Sequence, residues 1–314
     1  MKRRHFLKTT ALATASLTCG AELHANEDAS DQVIDIHQHV NYRKRGNEAF
    51  LEHQRVVGIR KTVLLPAGTP MNRPSTRLGK GNGLAADVSG TQEEADFVKK
   101  HPESYAFFCN EVPDSKDAIR SIESWLTRGA IGIGESKFHL EIDSPPMLQL
   151  YAIARAWKVP ILMHFQHKTY NMGFERLPKI LEKFPTVNFI AHAQTWWGNI
   201  SKGHDQAVMY PKGPVTPGGM TDVLLRDYPN IFGDLSAGSG LRAMLRDEDH
   251  AAAFLDRHHK KLFYGSDCND KDGVGDKCSG SQQLAVVRKL VQDAKKRHAI
   301  LFGNANRVIF GNRV

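Results

Sequence analysis

Short apolar stretches recur along this chain at intervals that predict eight β-strands. The first, VIDIHQHV, alternates apolar with polar positions and is rich in β-branched residues, and the second, KTVLLP, has the same character. The predicted strands cover residues 33–40, 61–66, 104–112, 130–137, 160–165, 187–193, 231–236 and 261–267.

Segments with helical periodicity follow the predicted strands. They cover residues 49–57, 93–100, 117–128, a helix capped by Ser144-Pro145, and then 174–184, 221–228, 250–258 and 282–297. Strands that alternate with helices form parallel sheets. Eight such units in about 280 residues fit an α/β fold of the (β/α)8 type, the TIM barrel, better than an open sheet. No Gly-rich dinucleotide fingerprint follows an early strand, which counts against a nucleotide-binding sheet.

Composition agrees with a folded protein and predicts one domain. The chain has 314 residues, of which 41% are hydrophobic and 24% are charged, as is ordinary for globular proteins. No apolar run reaches the ~18 residues that a membrane span requires. Because neither a linker nor a repeat interrupts the alternation, we expect a single catalytic domain over residues 26–314.

Residues 1–25 have the features of an export signal. Arg3-Arg4 with Phe6-Leu7-Lys8 resembles a twin-arginine motif, a short apolar stretch follows, and Leu23-His24-Ala25 is a plausible cleavage site. This predicts the twin-arginine export machinery as a partner and a periplasmic or secreted location. Cys19 raises a lipid-anchored alternative, but the residues before it fit a lipid-attachment box poorly.

The export signal also changes how the net charge is interpreted. Residues 1–25 carry +3 of the formal +8, which leaves +5 on the remaining chain. Without a dense basic stripe, we expect a small-molecule substrate rather than nucleic acid, and self-association stays open. Three cysteines remain after cleavage, and Cys268 and Cys278 lie on one predicted loop, where a disulfide and two free thiols are both possible.

Candidate chemistry collects where the predicted strands end. In a barrel of this kind the catalytic groups come from the carboxyl-terminal ends of the strands. The residues at those ends are Asp35, His37, His39, Glu135, Lys137, His164, His192 and Asp267. His37 and His39 are two residues apart on a strand, so they can grip one ion from the same side. Imidazoles combined with carboxylates suit zinc and related divalent metals.

The other histidines have less specific explanations. Six lie on predicted helices or at their ends, where we expect them to be solvated: His53, His101, His250, His258, His259 and His298. His139, His167 and His204 lie in predicted rim loops, within reach of a substrate.

The ordered set of strand-end residues resembles the amidohydrolase superfamily, and more narrowly the amidohydrolase-related (amidohydrolase 2) family. The matching features are Asp-x-His-x-His at 35–39, then Glu135, His164, His192 and Asp267, and a Gly-Asn-Ala run at 303–305. The resemblance covers residues 33–314. It implies a divalent metal bound by His37, His39, His164 and Asp267, and it makes His192 either a catalytic residue or a ligand of a second metal.

Strand four leaves the number of metals open. Members with two metals carry a carboxylated lysine or a glutamate there, and this chain has Glu135 with Lys137 two residues on. Glu135 is then either a bridging ligand or a neighbour of the ligands, paired with Lys137. We expect one obligatory ion, zinc or else manganese, and leave a second ion open.

The resemblance implies hydrolysis of an ester, lactone or amide bond by a metal-activated water. Asp267 would accept the proton from that water, and His192 would orient or protonate the oxyanion or leaving group. Decarboxylation of an aromatic or muconate-type acid is the main alternative, for which Lys137 and the loop residues Arg73, Arg77 and Lys80 would hold a carboxylate. A phosphodiesterase and a non-catalytic metal- or ligand-binding protein are weaker alternatives.

Substrate selection is expected in three rim loops, residues 67–90, 194–220 and 268–281. The middle loop carries Trp196, Trp197 and Tyr210, whose rings could form an apolar wall against a substrate. Packing across the top of the barrel is the alternative role for these rings.

Overall fold

A computed structural model describes residues 32–77 and 87–314 of the chain. The export signal predicted over residues 1–25, Cys19 and Lys80 lie outside the described residues. Eight parallel strands follow one another along the chain: β1 Ile34–Gln38, β2 Lys61–Leu64, β3 Tyr105–Phe107, β4 Ile133–Ser136, β5 Ile161–His164, β6 Phe189–His192, β7 Ile231–Asp234 and β8 Leu262–Phe263.

The strands close into a barrel through backbone hydrogen bonds. They pair in the orders β1-β2-β3 and β4-β5-β6-β7-β8. Between β3 and β4, Cys109 N–H donates to the Gly132 carbonyl and Gly134 N–H donates to the Cys109 carbonyl, both at 2.9 Å. Between β8 and β1, Ile36 N–H donates to Tyr264 O at 3.2 Å and Asp267 N–H donates to His37 O at 2.8 Å. The predicted (β/α)8 barrel is therefore confirmed.

Helices separate most of the strands and cover the barrel. They are α1 Asn47–Val57, α2 Thr91–Lys100, α3 Ala118–Thr127, α4 Pro145–Trp157, α5 Leu177–Lys183, α6 Gln194–Gly198, α7 Met220–Asp227, α8 Ala237–Leu245, α9 Glu248–His258, α10 Ser279–Leu290, α11 Ala294–His298 and α12 Asn304–Val308. Single turns of 3-10 helix cover Tyr42–Lys44 and Phe174–Arg176, and a π-helical turn covers Ala299–Gly303. Within the described residues, no helix is both long and apolar enough to cross a membrane.

The helices differ from the prediction at several positions, and α6 lies within the predicted rim loop 194–220. The sequence AGSGLRAML forms α8, which was not predicted because its glycines and serine have low intrinsic helix propensity. The single helix predicted over 282–297 is instead two helices, α10 and α11, interrupted near Val291 with Asp293 capping the second.

An apolar floor lies beneath the polar mouth of the barrel. Leu162 of β5, Ile190 of β6 and Phe232 of β7 belong to one buried cluster inside the ring of strands. Two residues further along each of these strands stand His164, His192 and Asp234. Because residues i and i+2 of a strand share a face, these polar side chains stand directly above the floor.

Strands β1 and β4 each carry a bulge where this alternation changes. Asp35 pairs with Thr62 while Gln38 pairs with Leu64, so β1 has one extra residue over this interval. β4 has the same irregularity: Ile133 pairs with Ile161 and Ser136 pairs with Met163, so three residue steps on β4 lie opposite two on β5. A β-bulge re-aims the side chains beside it. Here the bulges bring His37 and Glu135 to the mouth.

Gly134 occupies the β4 bulge with a φ of 137°, and a Cβ there would lie 2.7 Å from the Leu162 carbonyl oxygen. We expect Gly134→Ala to lower the free energy of unfolding by about 2 kcal/mol or more, through backbone strain and this clash. Chemical denaturation measures the change. Gly46→Ala is the control, because Gly46 has a φ of −64° and nothing within 4 Å of the added Cβ. Equal losses in the two variants would contradict the expectation.

Candidate metal centre

The strand ends converge on a buried group of imidazoles and carboxylates. His37 stands at its centre with no exposed surface, and its Nδ1 lies 2.7 Å from Asp234 Oδ2. The carboxylate holds the Nδ1 hydrogen, so Nε2 points into the mouth, where a bound metal ion would replace any hydrogen that Nε2 carries. That Nε2 atom is buried and has no hydrogen-bond partner.

Two overlapping sets of donors surround His37 Nε2. One set contains His37, His39 and Asp267, and the other contains His37, Glu135 and His192. Asp267 Oδ1 lies 3.9 Å from His37 Nε2 and 3.4 Å from His39 Nε2, while Glu135 Oε2 lies 3.9 Å from His37 Nε2. Asp267 Oδ1 is also buried without a hydrogen-bond partner. Unpaired donors of this kind converge where a cation binds.

His39 is oriented in the same way as His37. Its Nδ1 lies 2.6 Å from the backbone carbonyl of Leu65, which fixes the hydrogen on Nδ1 and directs Nε2 towards Asp267. A hydrogen bond from one ring nitrogen to a carbonyl or carboxylate is the usual support of a metal-binding histidine. The pair predicted from the His-x-His motif thus lies on one side of the mouth.

His164 lies at the mouth but outside both donor sets. Its Nδ1 faces Glu135 Oε1 at 2.6 Å, and its Nε2 lies 3.3 Å from the side-chain oxygen of Gln166. The structure therefore brings His37, His39 and Asp267 together as expected, while His164 is placed as the partner of Glu135. The closest partner of Glu135 is the His164 imidazole, at 2.6 Å. The expected pairing of Glu135 with Lys137 is thus not its closest contact.

The charged groups of the mouth shift one another's pKa values. Burial lowers the pKa of His37, but Asp267 and Asp234 outweigh it and raise that pKa to about 9. Burial opposes ionisation of Asp267, yet His37 and His39 hold its pKa below the usual range. Glu135 is buried too, and Lys137 and His164 hold its pKa well below the usual range. The carboxylates are thus ionised in a buried site.

The pKa of His192 is lowered, whereas that of His37 is raised. Burial, together with the neighbouring His37, lowers the pKa of His192 to about 3, so its imidazole is neutral near pH 7. Its Nδ1 lies 3.0 Å from Ser236 Oγ, and its Nε2 lies 3.8 Å from Asp267 Oδ2. A neutral imidazole with one nitrogen anchored can act as a metal ligand or as a proton carrier.

Three residues of the site were not predicted. Asp234 ends β7 and Ser236 follows it, and the Ser236 hydroxyl donates to Asp234 Oδ2 at 2.8 Å. The available signal was a carboxylate at a strand end, the same position that singled out Asp267. The nearby negative charge of Asp267, together with burial, raises the pKa of Tyr42. Its ring meets His39 edge-on, 4.9 Å between centroids.

Asp35, expected at the mouth, lies elsewhere. Its carboxylate accepts hydrogen bonds from Ser266 N–H at 2.9 Å and from the Gln54 amide of α1 at 3.2 Å. Two residues at this spacing normally point to the same face of a strand. The bulge in β1 makes Asp35 and His37 point to different faces. Asp35 therefore supports the junction of β1, β8 and α1.

The residues predicted to contact substrate have different surroundings. Trp196 and Trp197 are 0% and 2% exposed, and Trp197 Nε1 donates to the Asp234 carbonyl at 3.0 Å. Both rings belong to the apolar layer between the strands and the surrounding helices, where Trp197 lies 6.2 Å from Phe254 of α9, so almost none of their surface is open to a substrate. Lys137 is half-buried, with Nζ 5.9 Å from the centre of the Tyr170 ring. Arg73 pairs with Asp114 at 3.1 Å.

An open recess lies beside the mouth. Its volume is ≈ 340 Å³, and its lining includes Gln166, His167, Asn171, Arg176 and Thr195. Gln166 links the recess to the centre through its 3.3 Å contact with His164 Nε2. Gln166 and His164 thus separate a small molecule in the recess from Glu135, the nearest buried donor along this contact chain.

Comparisons with known proteins show the fold and no closer kinship. No protein-family model and no curated protein matches the chain. Among solved structures, the chain is similar to a probable 2-pyrone-4,6-dicarboxylic acid hydrolase from Acinetobacter baumannii with citric acid bound. The identity is 10%, the match covers 89% of this chain and 99% of that one, and the TM-score is 0.56.

Two decarboxylases are similar to the same degree. A 2,6-dihydroxybenzoate decarboxylase from Rhizobium shares 11% identity over 90% of this chain and 99% of its own, with a TM-score of 0.55. The other is a 5-carboxyvanillate decarboxylase from Novosphingobium aromaticivorans, complexed with manganese and 4-hydroxy-3-methoxy-5-nitrobenzoic acid. It shares 13% identity with this chain, the match covers 83% of this chain and 79% of that one, and the TM-score is 0.53. At these identities the shared property is the barrel fold.

Replacing Asp234 tests how the mouth is organised. Asp234→Asn keeps the shape of the side chain but removes the charge that orients His37, so we expect zinc affinity to fall about 10–100-fold. Competition with a chromophoric chelator measures the affinity. Asp222→Asn is the matched control, since Asp222 lies on α7 and pairs with His258 and Arg257. Unchanged affinity in Asp234→Asn would contradict this role.

Proposed function

We propose that this protein is a metal-dependent enzyme with its centre at the carboxyl-terminal mouth of the barrel. The observation that carries the proposal is the convergence of His37 Nε2 and Asp267 Oδ1, both buried and without hydrogen-bond partners, beside His39. Imidazole and carboxylate donors of this kind suit zinc or manganese. The neighbour complexed with manganese supports a divalent ion on this fold.

His37, His39 and Asp267 would hold the obligatory ion. His37, Glu135 and His192 form the donor set available to a second ion, and His164 supports Glu135 from behind. We therefore keep one ion as the requirement. Metal analysis of the purified protein tests the number, and saturation at one equivalent in excess metal would exclude a second ion.

The reaction that this donor set supports is hydrolysis of an ester, lactone or amide. A divalent ion held by these residues would supply Lewis acidity, which lowers the pKa of water from 15.7 to about 7. The Asp267 carboxylate, which is ionised and 14% exposed, would accept the proton released in this step. The neutral imidazole of His192, anchored through Nδ1, would orient or protonate the oxygen or nitrogen of the substrate.

Decarboxylation of a ring-bearing acid is the second candidate. It is favoured by the two decarboxylase neighbours and by the half-buried cation Lys137 beside Glu135. The hydrolase neighbour also carries a dicarboxylic acid in its name. A screen of lactones, esters, amides and hydroxybenzoates distinguishes the two reactions. Acid release identifies hydrolysis, and carbon dioxide release identifies decarboxylation.

Loss of metal and loss of activity should coincide. We expect His37→Ala to lose the obligatory metal and to reduce turnover by a factor of about 10³ or more, because its Nε2 is common to both donor sets. Elemental analysis and the activity found in the screen are measured on the same samples.

The control is His101→Ala. His101 follows α2 and precedes β3, so it lies at the end of the barrel opposite the mouth. This variant should keep both metal and turnover. Full activity of the metal-free wild-type protein would overturn the proposed function.

We also propose that the protein is exported by the twin-arginine pathway to the periplasm or beyond. Arg3-Arg4, the apolar stretch after them and Leu23-His24-Ala25 support this proposal. Amino-terminal sequencing of the protein from the periplasmic fraction should begin at Asn26, and replacing both arginines by lysine should retain the chain in the cytoplasm. Normal export of that double variant would contradict the proposed route.

A further inference from the structure

A second cluster of possible metal donors lies apart from the two donor sets of the mouth. It comprises His53 of α1, Cys268 after β8 and Cys278 before α10, which are 0%, 3% and 0% exposed. The two sulfurs are 3.6 Å apart, and His53 Nε2 lies 3.3 Å from Cys278 Sγ. His53 was expected in solvent because it lies on a surface helix, whereas the structure buries it completely.

The tautomer of His53 is set by its neighbour Gln54. The Gln54 amide nitrogen donates to Thr62 Oγ1 at 2.7 Å and to Asp35 Oδ2 at 3.2 Å, which leaves its oxygen as an acceptor. That oxygen lies 3.0 Å from His53 Nδ1, so Nδ1 carries the hydrogen. The bare lone pair of Nε2 therefore faces the sulfurs. This is the arrangement that orients a metal-binding histidine.

Both sulfurs accept hydrogen bonds from backbone amides. Asp270 N–H donates to Cys268 Sγ at 3.4 Å, and Ser281 N–H donates to Cys278 Sγ at 3.3 Å. These contacts favour electron-rich sulfur, the form in which cysteine binds metals. Neither bond occupies the space between the two sulfurs and the imidazole.

The spacing of the donors fits tetrahedral coordination. With metal–sulfur bonds of about 2.3 Å and a metal–nitrogen bond of about 2.05 Å, each measured separation corresponds to a donor–metal–donor angle of roughly 100°. Trigonal coordination would require wider separations than 3.6 Å between the sulfurs. Within the part of the chain that the structure describes, the donor group has three members, which leaves one position for a solvent ligand.

We propose that His53, Cys268 and Cys278 bind one thiophilic d¹⁰ cation, Zn²⁺ or Cu⁺, in a second metal site. Binding releases the proton of any sulfur that is still a thiol. The site would clamp the loop after β8 to α1. The Cys268 carbonyl already accepts hydrogen bonds from Gln38 at 2.9 Å and Arg45 at 2.8 Å, so the clamp adjoins the backbone that presents Asp267.

Cobalt substitution tests this site without any activity measurement. The wild-type protein is purified anaerobically with a phosphine reductant, stripped of metal and titrated with Co²⁺. A thiolate-to-cobalt charge-transfer absorption should appear and reach a plateau that corresponds to one thiolate-bound ion per chain, in addition to the cobalt that the mouth takes up. The donor sets at the mouth contain no sulfur, so this absorption reports the second site. His37→Ala should retain it, which separates this test from that of the proposed function.

Single substitutions assign the absorption to the cluster. Cys278→Ser and His53→Gln should lose it or weaken cobalt affinity at least tenfold. Cys109→Ser is the matched control, because Cys109 is equally buried but its thiol donates to the Ile122 and Gly132 carbonyls on the other side of the barrel. This variant should keep the wild-type spectrum. Circular dichroism establishes that each variant is folded.

Displacement experiments then identify the ion. Loss of the absorption on adding Zn²⁺ assigns the site to zinc, and loss on adding Cu⁺ but not Zn²⁺ assigns it to copper. The proposal is overturned if the folded wild-type protein shows no thiolate absorption, or if Cys278→Ser retains it in full. A Cys268–Cys278 disulfide in the freshly isolated protein would also overturn it.

Discussion

The contact between His37 Nδ1 and Asp234 Oδ2, at 2.7 Å, is the interaction on which the mouth of this barrel depends. It keeps a hydrogen on Nδ1 of His37, and it turns Nε2 towards Asp267 and Glu135. Both partners are fully buried, and taking such charges from water costs several kcal/mol per ion unless they are compensated. Three carboxylates around one central imidazole leave an excess of negative charge. A bound divalent cation would offset it.

Closed strands make this concentration of charge tolerable. Leu162, Ile190 and Phe232 form an apolar floor inside the ring of strands, and Trp197, in the apolar layer around the strands, donates to the Asp234 carbonyl. The polar side chains are therefore confined to one layer above an apolar floor. The bulges in β1 and β4 add His37 and Glu135 to that layer, at positions where an uninterrupted strand would direct them elsewhere.

The sequence predicted the barrel well because its signals are local. Runs such as 187–193 and 231–236 need only their own residues to indicate strands, and their regular return places His192 and Asp267 at one rim. Asp35 was misplaced because a bulge has no reliable signature in a single sequence. Helix α8 was not predicted because its local composition is poor in helix formers, and its packing stabilises the helix nonetheless.

Long-range contacts account for most of what was missed at the site. Asp234 and His37 are 197 residues apart, and nothing in the sequence near either one indicates the pairing. His164 illustrates the same limit, because its strand end was correctly located while its partner, Glu135, was not assigned. The cluster of His53, Cys268 and Cys278 joins a surface helix to the loop after β8, so the spacing of its residues follows no short motif.

Anomalous diffraction tests the central claim most directly. Crystals grown with saturating Mn²⁺ should give an anomalous difference peak within bonding distance of His37 Nε2, His39 Nε2 and Asp267 Oδ1. Such a peak would establish that the buried donors exist to hold a cation. A map without that peak, in which the same three side chains are ordered, would contradict the account.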